Sequence, residues 1–342
     1  MRARHYSQST LFRRVPTGLY RVSLTCIGLC RRWRPLAGLA LLALLAAAWL
    51  PVSAAPGDHR PASALIEIRY WDWTKTPKRD DYQMAALRLA MEKTRPDWGD
   101  YRLIRVAKPL STPRARAEVF RGELVNVHVA PWRPLETELD KLNENNLRVN
   151  VGMFGGTFGC RSLLIRTEDR DKLRHIKTLD ELRQLQGGVG RAWVDGRVMR
   201  DNHMPVVDSA DVGSLLAMLA GGRFDYLPMS MLEVDTLFQE HHLSGSTLMA
   251  SPDLMLYYPL PMIAYVSPTE PALAKRLEQG LQRARADGSL ARLTTEHFKD
   301  EIDRFKAQAP RVLVLQHPGL PAELAGEPAL CQPGAARGKA SR

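Results

Sequence analysis

From Ala64 onward strand-like and helix-like segments alternate in the order β-α-β-α-β, and no other feature of the sequence constrains the fold as strongly. "ALIEIRYW" reads as a strand. "RDDYQMAALRLAMEKT" carries Met84, Leu87, Leu89 and Met91 at helical spacing and is predicted to stop before Pro96. "YRLIRVA" is a second strand, "TPRARAEVFRGE" a helix with Pro113 near its first turn, and "LVNVHVAP" a third strand. A helix between successive strands returns the chain to its starting edge, so this order implies a parallel sheet with crossover helices.

After a break the pattern repeats. "CRSLLIRT" is an apolar strand, and "TLDELRQL" is a helix capped by Thr178 with Glu181 three residues later. "GGVGRAW", "MPVVDS" and "FDYLPM" read as strands between the helices "DGRVMRDN", "DVGSLLAMLAGG" and "SMLEVDTLFQEHH". "LMLYYPLPMIAYVS" is expected to be one strand. The helix "EPALAKRLEQGLQRARADG", with Leu273, Leu277 and Leu281 four apart, follows it. Two α/β units are thus predicted, the second inserted between the first and its closing helices, and 342 residues give both a full core. A tail over 311–342, rich in Pro, Gly and Ala, is expected to lack a fixed fold.

The first 54 residues hold eight arginines and no Asp or Glu, and end in the apolar run "LAGLALLALLAAAWL" before Val52-Ser53-Ala54. A basic region, an apolar run and a small-residue cleavage site make residues 1–54 an expected signal peptide, cut near Ala54, with export to the periplasm. The 15-residue run is short for a spanning helix, which needs about 20. Cleavage removes eight of the 48 Lys and Arg and none of the 37 Asp and Glu, so the formal charge of +11 falls to +3. The basic balance therefore describes the export signal, and nucleic acid is excluded as a partner. Cys26 and Cys30 leave with the signal; Cys160 and Cys331 either pair in an oxidising compartment or remain as separate thiols.

Several chemistries are absent from the sequence. Gly188-Val-Gly190-Arg-Ala-Trp193 fails as a dinucleotide fingerprint, because an indole stands where the third glycine lets helix and strand approach. "GAARGKAS" has the wrong spacing for a phosphate loop, with Ala340 in place of the magnesium-binding hydroxyl. There is no G-x-S-x-G elbow, C-x-x-C pair or H-E-x-x-H helix, and adjacent His241 and His242 point about 100° apart on a helix. No cofactor or metal is expected, and the protein reads as a non-enzyme.

"LDELRQLQGGVGRAWVD", "LLAMLAGGRFDYLPMSMLEVD" and "YYPLPMIAYVSPTEPALAKRLEQGLQRARADGSL" resemble the extracellular solute-binding proteins of family 3, the amino-acid-binding type of ABC-transporter receptor. The resemblance spans roughly residues 64 to 305. It implies a two-lobed periplasmic-binding-protein-like (type II) α/β fold, with two hinge strands and a ligand cleft that closes between the lobes. By analogy the hinges lie near "SLLIRT" and "PMIAYVS". Lobe one is then 57–165 plus 263–310, and lobe two 166–262. Such receptors clamp a ligand carboxylate with a lobe-one arginine and a lobe-two helix start. Arg133 in "APWRPLE" is the candidate arginine. Asp195 stands at the helix start, where it would cap the N–H groups and repel an anion, and no basic residue stands near Met229.

Ligands in open α/β sheets sit beyond the carboxyl ends of strands. Those ends carry Trp71-Asp72-Trp73, Trp132-Arg133 and Trp193 with Asp195, which suggests an aromatic-lined cleft. For each ring a place in the core is an equal alternative, and Asp195 is also an ordinary N-cap. Met229 and Ser230 end a strand. Glu233 fits a capping box with Ser230 as well as a ligand contact, and Tyr258 precedes the second hinge. The expected function is capture of a small polar solute by a monomer, with a membrane permease as the family's usual partner. A ligand-sensing or repurposed binding module is the alternative, and an exported enzyme on the same scaffold the third.

Overall fold

A computed structural model describes residues 65–134 and 145–333, apart from residues 192, 210 and 244. The expected signal peptide and the "GAARGKAS" stretch lie outside the described residues. The rest belongs to one compact unit, Arg60–Arg342. Among the described residues no helix is long and apolar enough to cross a membrane.

Two sheets organise this unit as a two-lobed α/β fold. The first contains β1 (Ile66–Asp72), β2 (Tyr101–Ala107), β3 (Val127–Pro131), β4 (Leu147–Val149) and β10 (Met262–Val266), in the order β2-β1-β3-β10-β4. β1 runs parallel to β2 and β3, as the crossover helices α1 (Pro77–Trp98) and α2 (Thr112–Arg121) require, and β10 returns antiparallel. The second sheet contains β5 (Cys160–Arg166), β8 (Leu227–Ser230), β9 (Leu248–Tyr257) and β11 (Arg311–Val314), ordered β11-β9-β5-β8. β6 (Gly187–Gly190) and β7 (Val206–Ser209) pair in parallel, and Gly187 bridges Tyr226 beside β8.

The inserted unit's helices are α3 (Arg170–His175), α4 (Leu179–Leu182), α5 (Val194–Asp201), α6 (Val212–Ala220) and α7 (Val234–Glu240). The expected Thr178–Glu181 capping box closes the start of α4. Helices α8 (Pro271–Ala286), α9 (Ser289–His297) and α10 (Lys299–Gln308) follow β10, and α11 (Ala322–Ala325) lies in the tail. α8 packs closely on α1: a Cβ on Gly280 would stand 2.0 Å from the Ala90 carbonyl oxygen, so only glycine permits this approach. Buried Arg276 of α8 donates to the carbonyls of Gly99 (2.6 Å) and Asp100 (3.4 Å), satisfying acceptors just past the end of α1.

Four expectations are corrected. α1 does not stop before Pro96 but runs to Trp98. A proline in the last turn forfeits only one helical hydrogen bond, and Gly99 closes the end through Arg95. "LMLYYPLPMIAYVS" is two strands in different sheets, because Pro259 and Pro261 bring no N–H to a ladder. β5, expected to close lobe one, lies in the second sheet, so the chain crosses between sheets over 150–159 and again over 258–261. The expected formless tail is ordered through residue 333. β11 extends the second sheet beside β9, Leu315 and Leu324 are buried, and Cys331 is bonded to Cys160.

His128 on β3 is fully buried and stacks on Tyr265 at 4.9 Å, with neither ring nitrogen partnered among the described residues. Burial, with Arg116 and Arg133 adding, pushes its pKa down to about 3. The folded form therefore disfavours a proton that the unfolded chain accepts below about 6.5, and stability is lost as pH falls through that window. His128→Phe should remove this loss. Thermal melts from pH 7 to pH 4 check it, and an unchanged acid slope refutes it.

Candidate functional site

Side chains of the two sheets converge beside the ends of β1 and β8. After β1, Asp72 accepts from the Thr74 N–H at 2.6 Å, a tight turn in which Thr74 takes a left-handed φ of 63°. A non-glycine residue held there marks a constrained strand end. Pro77 then opens α1, placing Arg79 and Asp80 in its first turn. The Arg79 guanidinium stacks over the Trp73 ring at 4.9 Å and donates to Glu233 Oε1 at 2.6 Å. Glu233 stands at the N-cap of α7, after β8, so this ion pair joins α1, between β1 and β2 of the first sheet, to α7, between β8 and β9 of the second.

Asp80, 1 % exposed, receives the Tyr70 hydroxyl at 3.3 Å and lies 3.8 Å from Arg79. Burial, opposed by Arg79 and reinforced by Asp72, pushes its carboxyl up to about 7. Asp72 is itself paired with Arg105 at 3.4 Å.

A second buried pair stands beside the second sheet. Arg161 of β5 donates to Asp195 in the first turn of α5, and Tyr258 donates its hydroxyl to the same oxygen at 2.6 Å. The guanidinium lies over the rings of Phe158 (5.4 Å) and Tyr258 (5.8 Å) and donates to the Phe158 carbonyl at 3.3 Å. Burial pulls the Arg161 pKa down. Asp195, with lesser help from Tyr258 and Glu233, outweighs it and raises the pKa. Burial and Asp195 push the Tyr258 phenol well up, so it remains a donor. Because Glu233 acts on both Arg79 and Arg161, the two pairs share one electrostatic field. Ser230 lies opposite Arg161 in the β5–β8 register and is fully buried.

Among the residues expected at the site, Trp73, Glu233, Asp195, Tyr258 and Ser230 are gathered here or beside it. Trp71 is not. It packs with Ala115, Val119 and Val125 beneath α2 and donates its indole N–H to the Lys108 carbonyl at 3.0 Å. Trp132 packs with Ile263, Tyr265 and Leu324, and the Arg133 backbone N–H goes to the Tyr265 hydroxyl at 3.2 Å. Met229 is core, among Leu164, Leu216 and Leu227. Trp193 is half-buried against that cluster, its ring filling the space a Gly190 side chain would need.

Two roles change. Trp193 takes the N-cap position of α5, and the Asp195 carboxylate makes no cap because Arg161 and Tyr258 hold it, so its charge is compensated. Glu233 forms no capping box with Ser230, whose Oγ instead accepts from the Leu232 N–H at 3.4 Å. Arg79, Asp80 and Arg161 went unrecognised in the sequence. Only Arg161 carries a usable signal, as the one charge within the apolar stretch "CRSLLI".

The arrangement is suited to binding: two guanidinium–carboxylate pairs flanked by aromatic faces. Among the described residues no cluster of His, Cys, Asp and Glu could hold a metal ion.

No family model matches the chain, and no curated protein does. Among solved structures it is similar to an ancestral arginine-binding protein bound to arginine, at TM-score 0.46 and 13% identity, over 68% of this chain and 98% of that one. A second is an amino acid ABC transporter substrate-binding protein from Streptococcus pneumoniae bound to L-arginine, at 0.41 and 11%, over 63% and 82%. A third is a histidine kinase sensor domain with similarity to periplasmic binding proteins, at 0.42 and 15%, over 69% and 97%.

Proposed function

We propose that this protein is an exported solute-binding protein that holds a small polar solute between its two lobes without turning it over. The observation that carries the reading is the Trp73–Arg79–Glu233 contact, in which an aromatic face and a cation of the first lobe meet a carboxylate of the second. Both charged side chains are largely withdrawn from water, at 11% and 6% exposure, so a ligand that displaces one must replace its charge. A solute with a positive and a negative group does so for both. A purely anionic or cationic solute strands one member of the pair, and for that reason the favoured ligand is a small zwitterion. Delivery to an ABC permease is the next step in this reading.

The test is a thermal-shift panel of zwitterions, polyamines and organic acids. One class should stabilise the protein by about 2.7 kcal/mol at a hundredfold excess over its dissociation constant. Trp73→Ala should weaken that binding by roughly 1–2 kcal/mol while the free protein still folds. No shift with any member of the panel overturns the reading, and turnover of a bound compound replaces it with an enzyme.

A further inference from the structure

We propose that residues 311–331 form a strap that fixes the angle between the two lobes, so that the cleft is preset rather than swung shut. The strap touches both lobes and the crossings over 150–159 and 258–261. β11 pairs with β9 of the second lobe, and the Leu315 N–H continues to the Tyr257 carbonyl at 2.8 Å. Gln316 exchanges two bonds with the Asn202 side chain at the end of α5, at 2.9 and 2.7 Å. His317 Nδ1 then bonds the Pro259 carbonyl at 2.7 Å, in the second crossing.

On the first lobe Leu324 packs among Trp132, Ile263 and Tyr265. Glu327 accepts from the Gly152 N–H at 3.0 Å and from Arg285 of α8 at 3.2 Å, gripping the first crossing against the first lobe. Cys331 is bonded to Cys160 where that crossing ends, closing a covalent link over a sequence separation of 171.

The first crossing is shaped to receive this strap. Gly156 has φ +74, and a Cβ there would stand 3.0 Å from the Glu327 carbonyl oxygen. A Cβ on Gly152 would stand 2.0 Å from the Glu327 carboxylate. The crossings also touch each other, since a Cβ on Gly159 would stand 2.1 Å from the Tyr258 carbonyl oxygen. Hinge rotation works by changing backbone dihedrals in a few connecting residues. Here those residues are bonded from outside, and turning them means exposing Leu315, Leu324, Ala329 and Cys331, all now buried.

The test needs no solute, so its failure leaves the binding proposal standing, and a failed solute panel leaves the strap standing. Spin labels attached by non-cysteine chemistry at Lys275 on α8 and Arg174 on α3, both exposed, report the interlobe distance by pulsed resonance. The oxidised protein should give one narrow distance distribution. Cys160→Ser/Cys331→Ser should broaden it and speed amide exchange across 150–159 and 311–316. If that variant does not fold, Asn202→Ala, which keeps the disulfide and removes both bonds to Gln316, should broaden it instead. A broad distribution in the oxidised protein, or an unchanged one in the folded variant, overturns the strap.

Discussion

Replacing Asp195 with alanine is expected to destabilise the protein by about 3–5 kcal/mol, because it leaves the Arg161 guanidinium charged and unpartnered in the interior. Arg161 is 2% exposed, and its other hydrogen bond, to the Phe158 carbonyl, carries no compensating charge. Tyr258, fully buried, loses its acceptor in the same step. The effect comes from stranding a charge rather than from the net worth of the pair. A volume-conserving double change, Arg161→Met with Asp195→Leu, should therefore recover most of the loss. Urea unfolding of the wild type, the single variant and the double variant measures this. If the double variant is as unstable as Asp195→Ala, the ion-pair account fails and the cost lies in packing. The same cycle bears on ligand choice: a carboxylate already held by a guanidinium and a phenol does not repel an anion as a free helix-start aspartate would.

Strand–helix alternation is a local property, and it was legible. Short apolar runs such as "YRLIRVA" and the apolar rows of α1 and α8 state their own structure, and the parallel order of β1, β2 and β3 follows from the helices between them. What failed was decided at a distance. "RVLVLQ" holds a short continuous apolar run of the kind a buried strand shows, yet its Pro-rich surroundings suggested disorder; β9, more than fifty residues earlier, gives it a partner. The break before "CRSLLIRT" carries Gly152, Gly156 and Gly159, each required by a close approach to Glu327 or Tyr258 that no local pattern announces. At the site, tryptophans at strand ends were read as one population. α2 covers Trp71, the tail covers Trp132, and Trp73 lies under Arg79, whose carboxylate partner Glu233 comes from the facing side. Arg79 and Glu233 are 154 residues apart, and no periodicity links them.

Asp80→Asn is expected to stabilise the protein at pH 8 and to flatten its stability between pH 4 and 7. In the folded protein the Asp80 carboxyl sits at about 7, against 3.8 without the fold. Between those values the native state keeps a proton that the unfolded chain has released. Stability from this group is thus fully present below about 3.8 and is lost as pH rises through about 7. A displacement of roughly three pH units corresponds to about 4 kcal/mol across the window. The amide that replaces the Asp80 carboxyl keeps an acceptor for the Tyr70 hydroxyl and never ionises, so the loss disappears. His128 acts with the opposite sign over an overlapping range, gaining stability as pH rises, and in the wild type the two slopes partly cancel. The informative quantity is therefore the difference between variant and wild type at each pH, measured by urea unfolding. A difference independent of pH would mean that Asp80 is ionised in the folded state throughout. Asp80 lies against Arg79, and above pH 7 its ionised form competes with Glu233 for that guanidinium. The wild-type contact between the lobes should accordingly loosen with rising pH, while that of Asp80→Asn should not.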